Sequence, residues 1–318
     1  ICLDIRVGQH VIFDDKAHTF RAECAGLVRL NGKVLEVLDI MQINSDVGPE
    51  SGNIDHGGSV RISGGVASEF QVKAMGDVEI ADVVGAADIE CGGDLHARKG
   101  IRSGAGKKIV VKGTLHTKYI EQGTIMADGD IFVETEIVDS TIRTSGRLVC
   151  NGRIQGGDAM AAAGIEVDEV GSRSETHTVL IAGVDYRVVN LIRECTEKSK
   201  QLKDGLAKLE AEKKRLSMLG TTMTHQHRER YTELEFNIYE MNETYEQLTE
   251  QRKKLDAHMA SQKEAKIVIR KGVNPGTVLR VLDSQLEVQH ALIGPISAGL
   301  DPVTHTLTMS SVDSDTKE

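Results

Sequence analysis

The feature that most constrains this chain is a set of short glycine-led segments that recur between positions 58 and 167. The leading glycines follow one another at steps of roughly 16 to 20 residues, a near-constant period that is typical of a solenoid. Within each segment apolar and polar residues alternate, as in a strand with one buried face. Smaller apolar steps of about six residues lie between the segments, which indicates three short strands per coil. The repeat therefore predicts a right-handed parallel β-helix, or β-solenoid, whose inward side chains stack in rows. The segments are 58–62, 76–80, 93–97, 113–117, 129–133, 146–150 and 164–167.

Composition supports a narrow solenoid core. Aromatic residues make up 3% of the 318-residue chain and Trp is absent, whereas Gly occurs 32 times. A compact globular core normally uses aromatic rings as volume, while a β-helix interior takes small and β-branched side chains. The formal net charge of −10 argues against general nucleic-acid binding across the surface.

The cysteines indicate reduced thiols in a cytoplasmic protein, because they are scattered, odd in number and form no Cys-x-x-Cys motif. They are Cys2, Cys24, Cys91, Cys150 and Cys195. We expect no transmembrane segment and no signal peptide, since no apolar run approaches the length that a bilayer requires. Because the first residue is Ile1, we also expect the chain to be a fragment of a longer protein.

The regions on either side of the repeat also have a strand pattern. Alternating residues up to position 45, with turns at 14–15 and 31–32, predict antiparallel strands that cap the first coil. A period-two pattern returns after Glu264. We therefore expect an N-terminal β segment at 1–45, a parallel β-helix at 46–184, a coiled-coil hairpin at 185–265 and a returning C-terminal β segment at 266–318.

A heptad pattern replaces the strand pattern after about position 186. Apolar residues recur at alternating steps of three and four in two segments separated by Gly220. Folding the chain back at Gly220 pairs seam positions of the two segments, such as Leu209 with Ile238 and Leu202 with Tyr245. The pattern predicts a long α insertion in a mainly β protein, an antiparallel coiled-coil hairpin about 50 Å long at 1.5 Å per residue. Its seam consists of Val188, Ile192, Leu202, Leu206, Leu209, Leu216, Tyr231, Leu234, Ile238, Met241, Tyr245, Leu248 and Leu255.

Charges beside the seam support the same pairing. The basic run 213–215 would lie opposite Glu229, Glu233 and Glu235, and Lys213 on the seam itself would fix the register. A projecting helical arm commonly contacts a partner or a second copy of itself. We therefore expect self-association through the hairpin as one role of this segment.

A basic run lies within the acidic chain, because residues 95–120 contain several cations and no Asp or Glu. About two neighbouring coils would then carry a positive face that docks an acidic protein surface or anionic lipid headgroups. The alternative is a solvated face that discourages edge pairing. In the first interpretation the docking residues are Arg98, Lys99, Arg102, Lys107, Lys108, Lys112 and Lys118.

Two histidines occupy equivalent places in neighbouring segments. His96 and His116 would stack outward at about 4.8 Å, the distance between paired strands. The neighbouring coils have Glu79 and Phe132 there, so no third ligand recurs, and we expect a surface ladder rather than a metal site. The repeated Gly-Asp pairs are interpreted as turns, with Gly at positive φ and Asp in an Asx-turn, rather than as a calcium site.

Several motifs follow one another in a specific order along the chain. They are residues 51–55 before 58–66, Val72-x-Ala74-x-Gly76-Asp77, 152–159, 169–172, 178–183 before the heptads, and Pro275-Gly276 after them. Together they cover nearly the whole chain and resemble the bacterial flagellar assembly protein A (FapA) family. Residues 56–59 depart locally from the phenylalanine and Gly-Asp that are usual there. The resemblance implies a cytoplasmic, non-enzymatic β-helix protein without a cofactor that supports flagellum assembly or polar placement.

The leading hypothesis is thus a scaffold at the cell pole whose partners are flagellar, polar-organising or regulatory proteins, and not nucleic acid. The Gly-Asp repeats also resemble the β-helix of the cell-division inhibitor MinC, so a division or filament protein of the MinC or bactofilin kind is the alternative. A solenoid transferase or a carbohydrate-acting enzyme is less favoured. The sequence has no recognisable Ser-His-Asp, Cys-His or clustered-carboxylate arrangement.

Overall fold

The computed structural model of the chain describes residues 5–23, 26–104, 106–261, 265–301, 304 and 306–311. The chain divides into two compact units. One unit, Ile1–Val184 with Glu264–Glu318, contains the β-strands, and the other, Asp185–Lys263, contains two long helices. The predicted β-solenoid with a helical insertion is confirmed. The finer domain boundaries, such as that at position 45, stay a prediction.

Short strands precede the solenoid. They are β1 (Arg6–Val7), β2 (Val11–Asp14), β3 (Thr19–Ala22), β4 (Leu27–Asn31) and β5 (Val34–Leu38). The pairs β2–β3 and β4–β5 are antiparallel, as the turn signals predicted. Strand β1 pairs with β5 in parallel, and the strand Ile40–Ile43 pairs in parallel with Ser59–Ile62. The expectation of antiparallel pairing throughout residues 1–45 is therefore wrong for these two strands.

The solenoid makes about eight turns, and its strands pair in parallel with strands one coil away. Strands β18 and β19 continue around the corners of their coils, so each contributes to more than one side. The strands are β6 (Ile40–Ile43), β7 (Ile54–His56), β8 (Ser59–Ile62), β9 (Gln71–Ala74), β10 (Val78–Ile80), β11 (Val83–Val84), β12 (Asp88–Cys91), β13 (Leu95–Ala97), β14 (Gly100–Arg102), β15 (Ile109–Val111), β16 (Leu115–Glu121), β17 (Thr124–Ala127), β18 (Ile131–Thr144), β19 (Arg147–Ala161), β20 (Gly164–Val170) and β21 (Thr178–Ala182).

Each coil has three sides, and the inward side chains of successive coils stack in rows along each side. The first face contains the glycine-led strands, and one of its inner rows is Val60, Val78, Leu95, Leu115, Ile131, Leu148 and Ile165. The second face has Val84, Ile101, Ile120, Ile137, Ile154 and Val170. The third face has Val72, Ile89, Ile109, Ile125, Ile142, Ala159 and Leu180. All of these side chains are at most 2% exposed, so the rows form one continuous core.

The parallel ladder continues after the helical insertion and then reverses direction. The strands are β22 (Ile267–Val273), β23 (Thr277–Val281), β24 (Ser284–Val288), β25 (Leu292–Ile293), β26 (Ile296–Leu300) and β27 (Leu307–Ser311). Strand β22 pairs in parallel with β20, and β23 pairs in parallel with β21. Strands β24 to β27 then pair antiparallel, which covers the last parallel coil on all three faces.

The Gly-Asp corners have a different cause from the one that the sequence predicted. Gly76, Gly93 and Gly129 are not among the described glycines with positive φ, so that part of the interpretation is wrong. The Asp side chain instead bonds across coils, since Asp94 Oδ1 accepts the Thr114 backbone N–H at 2.7 Å. Asp77 and Asp130 make the same bond to the next coil. A Cβ on the glycine of that coil would overlap the aspartate oxygen.

The helical unit contains α1 (Tyr186–Ser217), a short 3₁₀ turn (Gly220–Thr222) and α2 (His225–Ser261). Asp185 caps α1, because its carboxylate accepts the Arg187 backbone N–H at 2.9 Å. The turn that begins at Gly220, where φ is +50°, separates the two helices at the position where the heptad pattern breaks.

Candidate interaction surface

An aromatic stack lies on the outer side of the first face. His96, His116 and Phe132 occupy the single outward position of three successive coils. The His96 and His116 ring centroids are 4.8 Å apart with planes 1° from parallel, and Phe132 stacks on His116 at the same distance. Both imidazoles are exposed and the phenyl ring is half-buried. The ladder predicted from the repeat is therefore confirmed, and the phenyl ring extends it.

The stack favours the neutral form of the His116 imidazole. Partial burial lowers the pKa of His116 below its ordinary value, and the charge that His96 can acquire lowers it further. Asp94 acts in the opposite direction. Parallel rings direct their nitrogen lone pairs side by side rather than toward one point, so the two imidazoles would have to rotate to share a metal ion. Within the described ranges no group of three or more His, Cys, Asp or Glu is arranged for metal binding.

The seven basic residues of the predicted docking patch are distributed around the solenoid. Arg98, Lys99 and Lys118 lie at the corner between the first and second faces, and Arg102 ends the second-face strand β14. Lys107 and Lys108 precede the third-face strand β15, and Lys112 follows it. A run of 26 residues is longer than one coil, so its side chains point in several directions.

Most of these cations contact a carboxylate on a neighbouring coil. The pairs are Lys99 with Asp82 at 2.8 Å, Arg102 with Glu121 at 2.7 Å, Lys107 with Glu69 at 3.0 Å and Asp88 at 3.3 Å, Lys112 with Asp128 at 3.3 Å, and Arg98 with Glu79. Lys108 donates its backbone N–H to Asp88, and the Lys118 carbonyl accepts from Thr135. Lys107 is half-buried, and the other paired cations are exposed, so their ion pairs contribute little to stability but reduce the positive charge of each side.

An open groove of about 610 Å³ lies between β4 and the first face. Its lining includes Arg29 from β4, Arg61 from β8, and Glu79, His96 and Arg98 from the next two coils. Arg61 and Arg98 both donate to the Glu79 carboxylate. Partial burial acts to raise the pKa of Glu79, but the two guanidinium groups together outweigh it and hold the pKa below its ordinary value. Glu79 therefore remains an anion that fixes both arginines.

The two helices pack against each other in antiparallel orientation. Lys213 Nζ lies 2.9 Å from Glu235 Oε1, and Arg230 bonds Glu212 at 2.9 Å, so residues near the end of α1 meet residues near the start of α2. Lys213 also lies over the Tyr231 ring, 5.2 Å from its centroid. This seam lysine thus has both an aromatic and an anionic neighbour.

The predicted seam residues lie on the inward side of their helices. Val188, Leu206 and Leu234 are buried, and the others are half-buried: Ile192, Leu202, Leu209, Leu216, Tyr231, Ile238, Met241, Tyr245, Leu248 and Leu255. Sequence reasoning did not single out two aromatic residues off the seam. Phe236 is 60% exposed and Tyr239 is 67% exposed, one helical turn apart on α2. The sequence did contain a signal for Phe236 and Tyr239, because they are aromatic residues at heptad positions off the seam in a chain that has few aromatic residues.

The groove could not be predicted from the sequence. Its arginines are distant in sequence, and their convergence depends on where β4 lies against the first face. The cysteines give no reactive site among the described residues. Cys91, Cys150 and Cys195 are free and buried, while Cys2 and Cys24 lie outside the described residues. Burial raises the pKa of the Cys91 and Cys150 thiols to about 11.

Comparison with known families decides the affiliation. The sequence-family model of the Flagellar Assembly Protein A (FapA) beta solenoid domain matches residues 39–301 of this chain. The chain belongs to the FapA family. The match covers both the solenoid of this FapA-family chain and the helical insertion within it. Parallel comparisons with curated proteins and with solved structures gave no match. No described helix of the FapA-family chain is long and apolar enough to span a membrane.

Proposed function

We propose that this FapA-family chain is a non-enzymatic scaffold in flagellar assembly that docks a protein partner on the first face of its solenoid. The main support is the outward stack of His96, His116 and Phe132. Aromatic rings held by a rigid sheet offer contact area while losing little conformational entropy on binding. Arg98 and Lys118, at the adjacent corner, supply positive charge beside the rings. We call these five residues the first-face surface.

The helical hairpin supplies a second contact in this proposal. Phe236 and Tyr239 are exposed on α2, away from the seam, and large aromatic residues are enriched where proteins contact one another. The contact is made either with a second copy of the chain or with a different assembly protein. The scaffold acts in the cytoplasm, where it helps to place flagella at the cell pole.

Site-specific photo-crosslinking in cells tests the docking proposal. A photoreactive phenylalanine at position 132 samples the first face, and the same residue at position 126 samples the third face. Met126 is a suitable control because it is also half-buried and outward, in strand β17. The host is a flagellated bacterium in which the coding sequence of this chain replaces the resident FapA-family gene. We expect a discrete crosslinked protein from position 132 and none from position 126.

Charge substitutions connect that contact to function. His116→Glu with Phe132→Glu should remove the crosslinked partner and reduce the number of flagellated cells, whereas Met126→Glu should leave both unchanged. Thermal unfolding of the purified variants checks that each is folded. Normal flagellation in the first-face variant, or the same defect in the control, would contradict the proposal. Filaments of purified protein in electron micrographs would favour the division or filament alternative instead.

A further inference from the structure

The groove between β4 and the first face gathers positive charge from three distant parts of the chain. Arg29 lies on β4, Arg61 on β8 and Arg98 two coils from β8. The groove holds about 610 Å³, a size that fits a small-molecule ligand. The three arginines therefore line an open groove that is large enough for a bound molecule.

Each arginine in the groove uses one nitrogen for its carboxylate partner. Arg29 Nε donates to Glu36 at 2.6 Å, Arg61 Nε donates to Glu79 at 2.8 Å, and Arg98 Nη2 donates to the other Glu79 oxygen. A guanidinium group carries five N–H donors in a rigid fork. These contacts fix the orientation of each fork and leave further donors for a ligand.

The charges of Arg61 and Arg98 are not balanced by single pairs, as those of Arg29 with Glu36 and of Arg102 with Glu121 are. Two guanidinium groups share the single Glu79 carboxylate. The lining contains one further carboxylate, that of Asp77, whose Oδ1 accepts the Asp94 backbone N–H at 2.9 Å. The lining thus contains three guanidinium groups and two carboxylates, and the carboxylate partner of Arg29, Glu36, is not part of the lining.

A hydroxyl group adds a neutral donor to the lining. Ser59 Oγ accepts the Asp77 backbone N–H at 3.0 Å, which leaves the hydroxyl proton for another acceptor. Guanidinium forks match the paired oxygens of phosphate groups and bind them through charge-assisted hydrogen bonds. A ligand with more than one anionic group could accept from Arg29 on β4 and from the two first-face arginines at the same time.

We propose that this groove binds a phosphorylated small molecule with at least two negative charges, held by Arg29, Arg61 and Arg98. The groove shares His96 and Arg98 with the first-face surface. Ligand binding is tested on the purified chain without a partner, so it can succeed or fail independently of the docking proposal. Since Arg29 belongs to the N-terminal sheet and the other two arginines to the solenoid, the ligand connects these two parts of the β unit.

Isothermal titration of the whole chain at constant ionic strength tests the proposal with inorganic pyrophosphate, ADP and adenosine. We expect saturable binding of pyrophosphate and ADP and none of adenosine. Similar affinities for the first two would identify the phosphates as the recognised group, and tighter ADP binding would identify a nucleotide as the ligand. Arg61→Gln and Arg98→Gln should each weaken binding by about tenfold or more.

Two further variants distinguish a specific binding site from non-specific electrostatic attraction of anions to the surface. Arg102→Gln removes a cation of similar exposure from the second face and should leave the affinity unchanged. Glu79→Gln removes the competing negative charge and should tighten binding by about tenfold. The proposal is overturned if neither phosphate compound saturates, or if Arg102→Gln weakens binding as much as Arg61→Gln.

Discussion

His96 and His116 stack face to face across adjacent coils, with ring centroids 4.8 Å apart and planes 1° from parallel. Their spacing is that of the strands beneath them, because one outward position per coil places equivalent side chains one strand apart. A positive charge on His96 at that distance disfavours the charged form of His116.

The pKa of His116 should be below its ordinary value of 6.5, because burial and the neighbouring imidazolium both disfavour its charged form. The unfolded chain then binds a proton before the folded chain does, so stability falls as the pH drops through 6.5 toward the folded pKa. Histidine NMR titration and urea unfolding at neutral and acidic pH measure the two effects. His96→Asn should move the His116 pKa upward, and a His116 pKa above 6.5 in the unmodified chain would contradict this.

Gly146→Ala should destabilise the solenoid by about 1–3 kcal/mol, because the new Cβ would overlap the Asp130 carboxylate oxygen that accepts the Arg147 N–H. Gly57→Ala is a matched control, since no atom lies within 4 Å of the added Cβ. Thermal unfolding compares the two variants. Equal destabilisation of the two variants would contradict the cross-coil cause, because the lost flexibility of glycine in the unfolded chain acts in the stabilising direction.

Leu234→Ala should destabilise the helical unit by about 2–4 kcal/mol, because its side chain is fully buried on the seam. Phe236→Ala, two residues along the same helix, removes a larger but mostly exposed ring and should change stability by about 0.5 kcal/mol or less. Unfolding followed by helical circular dichroism distinguishes them. A larger loss of stability in Phe236→Ala than in Leu234→Ala would contradict this and show that the Phe236 ring makes a stabilising contact.

Cys91 and Cys150 should resist alkylation in the folded protein, because burial raises each thiol pKa to about 11 and little thiolate forms at neutral pH. Iodoacetamide labelling with peptide mass spectrometry reports each cysteine separately. Both residues should become labelled in guanidinium chloride. Rapid labelling of Cys150 under native conditions would indicate local opening of the coil around β19.

Much of the architecture could be predicted because a solenoid repeats in one dimension. A constant period places Leu95, Leu115 and Ile131 in one inner row and places His96 over His116, without knowledge of distant contacts. Heptad spacing similarly placed Leu206 and Leu234 on the inward sides of their helices. Such positions follow from local periodicity alone.

Other features depend on which residues of different coils meet. The partners of Lys99 and Lys107 lie one or two coils earlier, so their ion pairs require the register as well as the sequence. The role of Gly93 depends in the same way on the Asp77 side chain of the preceding coil. The groove depends on the placement of Arg29 against the solenoid, for which no periodic signal exists.

The position of the helical insertion has a consequence for synthesis on the ribosome. Strand β20 pairs on one side with β22, where Ile165 lies opposite Ile267. In the sequence, the whole hairpin lies between these two strands. At 5–20 residues per second, a ribosome needs roughly 5–20 s to make the intervening hundred or so residues. During that interval the growing solenoid has an open parallel edge at β20 and β21, the kind of edge that promotes aggregation. Nascent chains of this protein are therefore expected to need the most chaperone protection while the ribosome translates the helices.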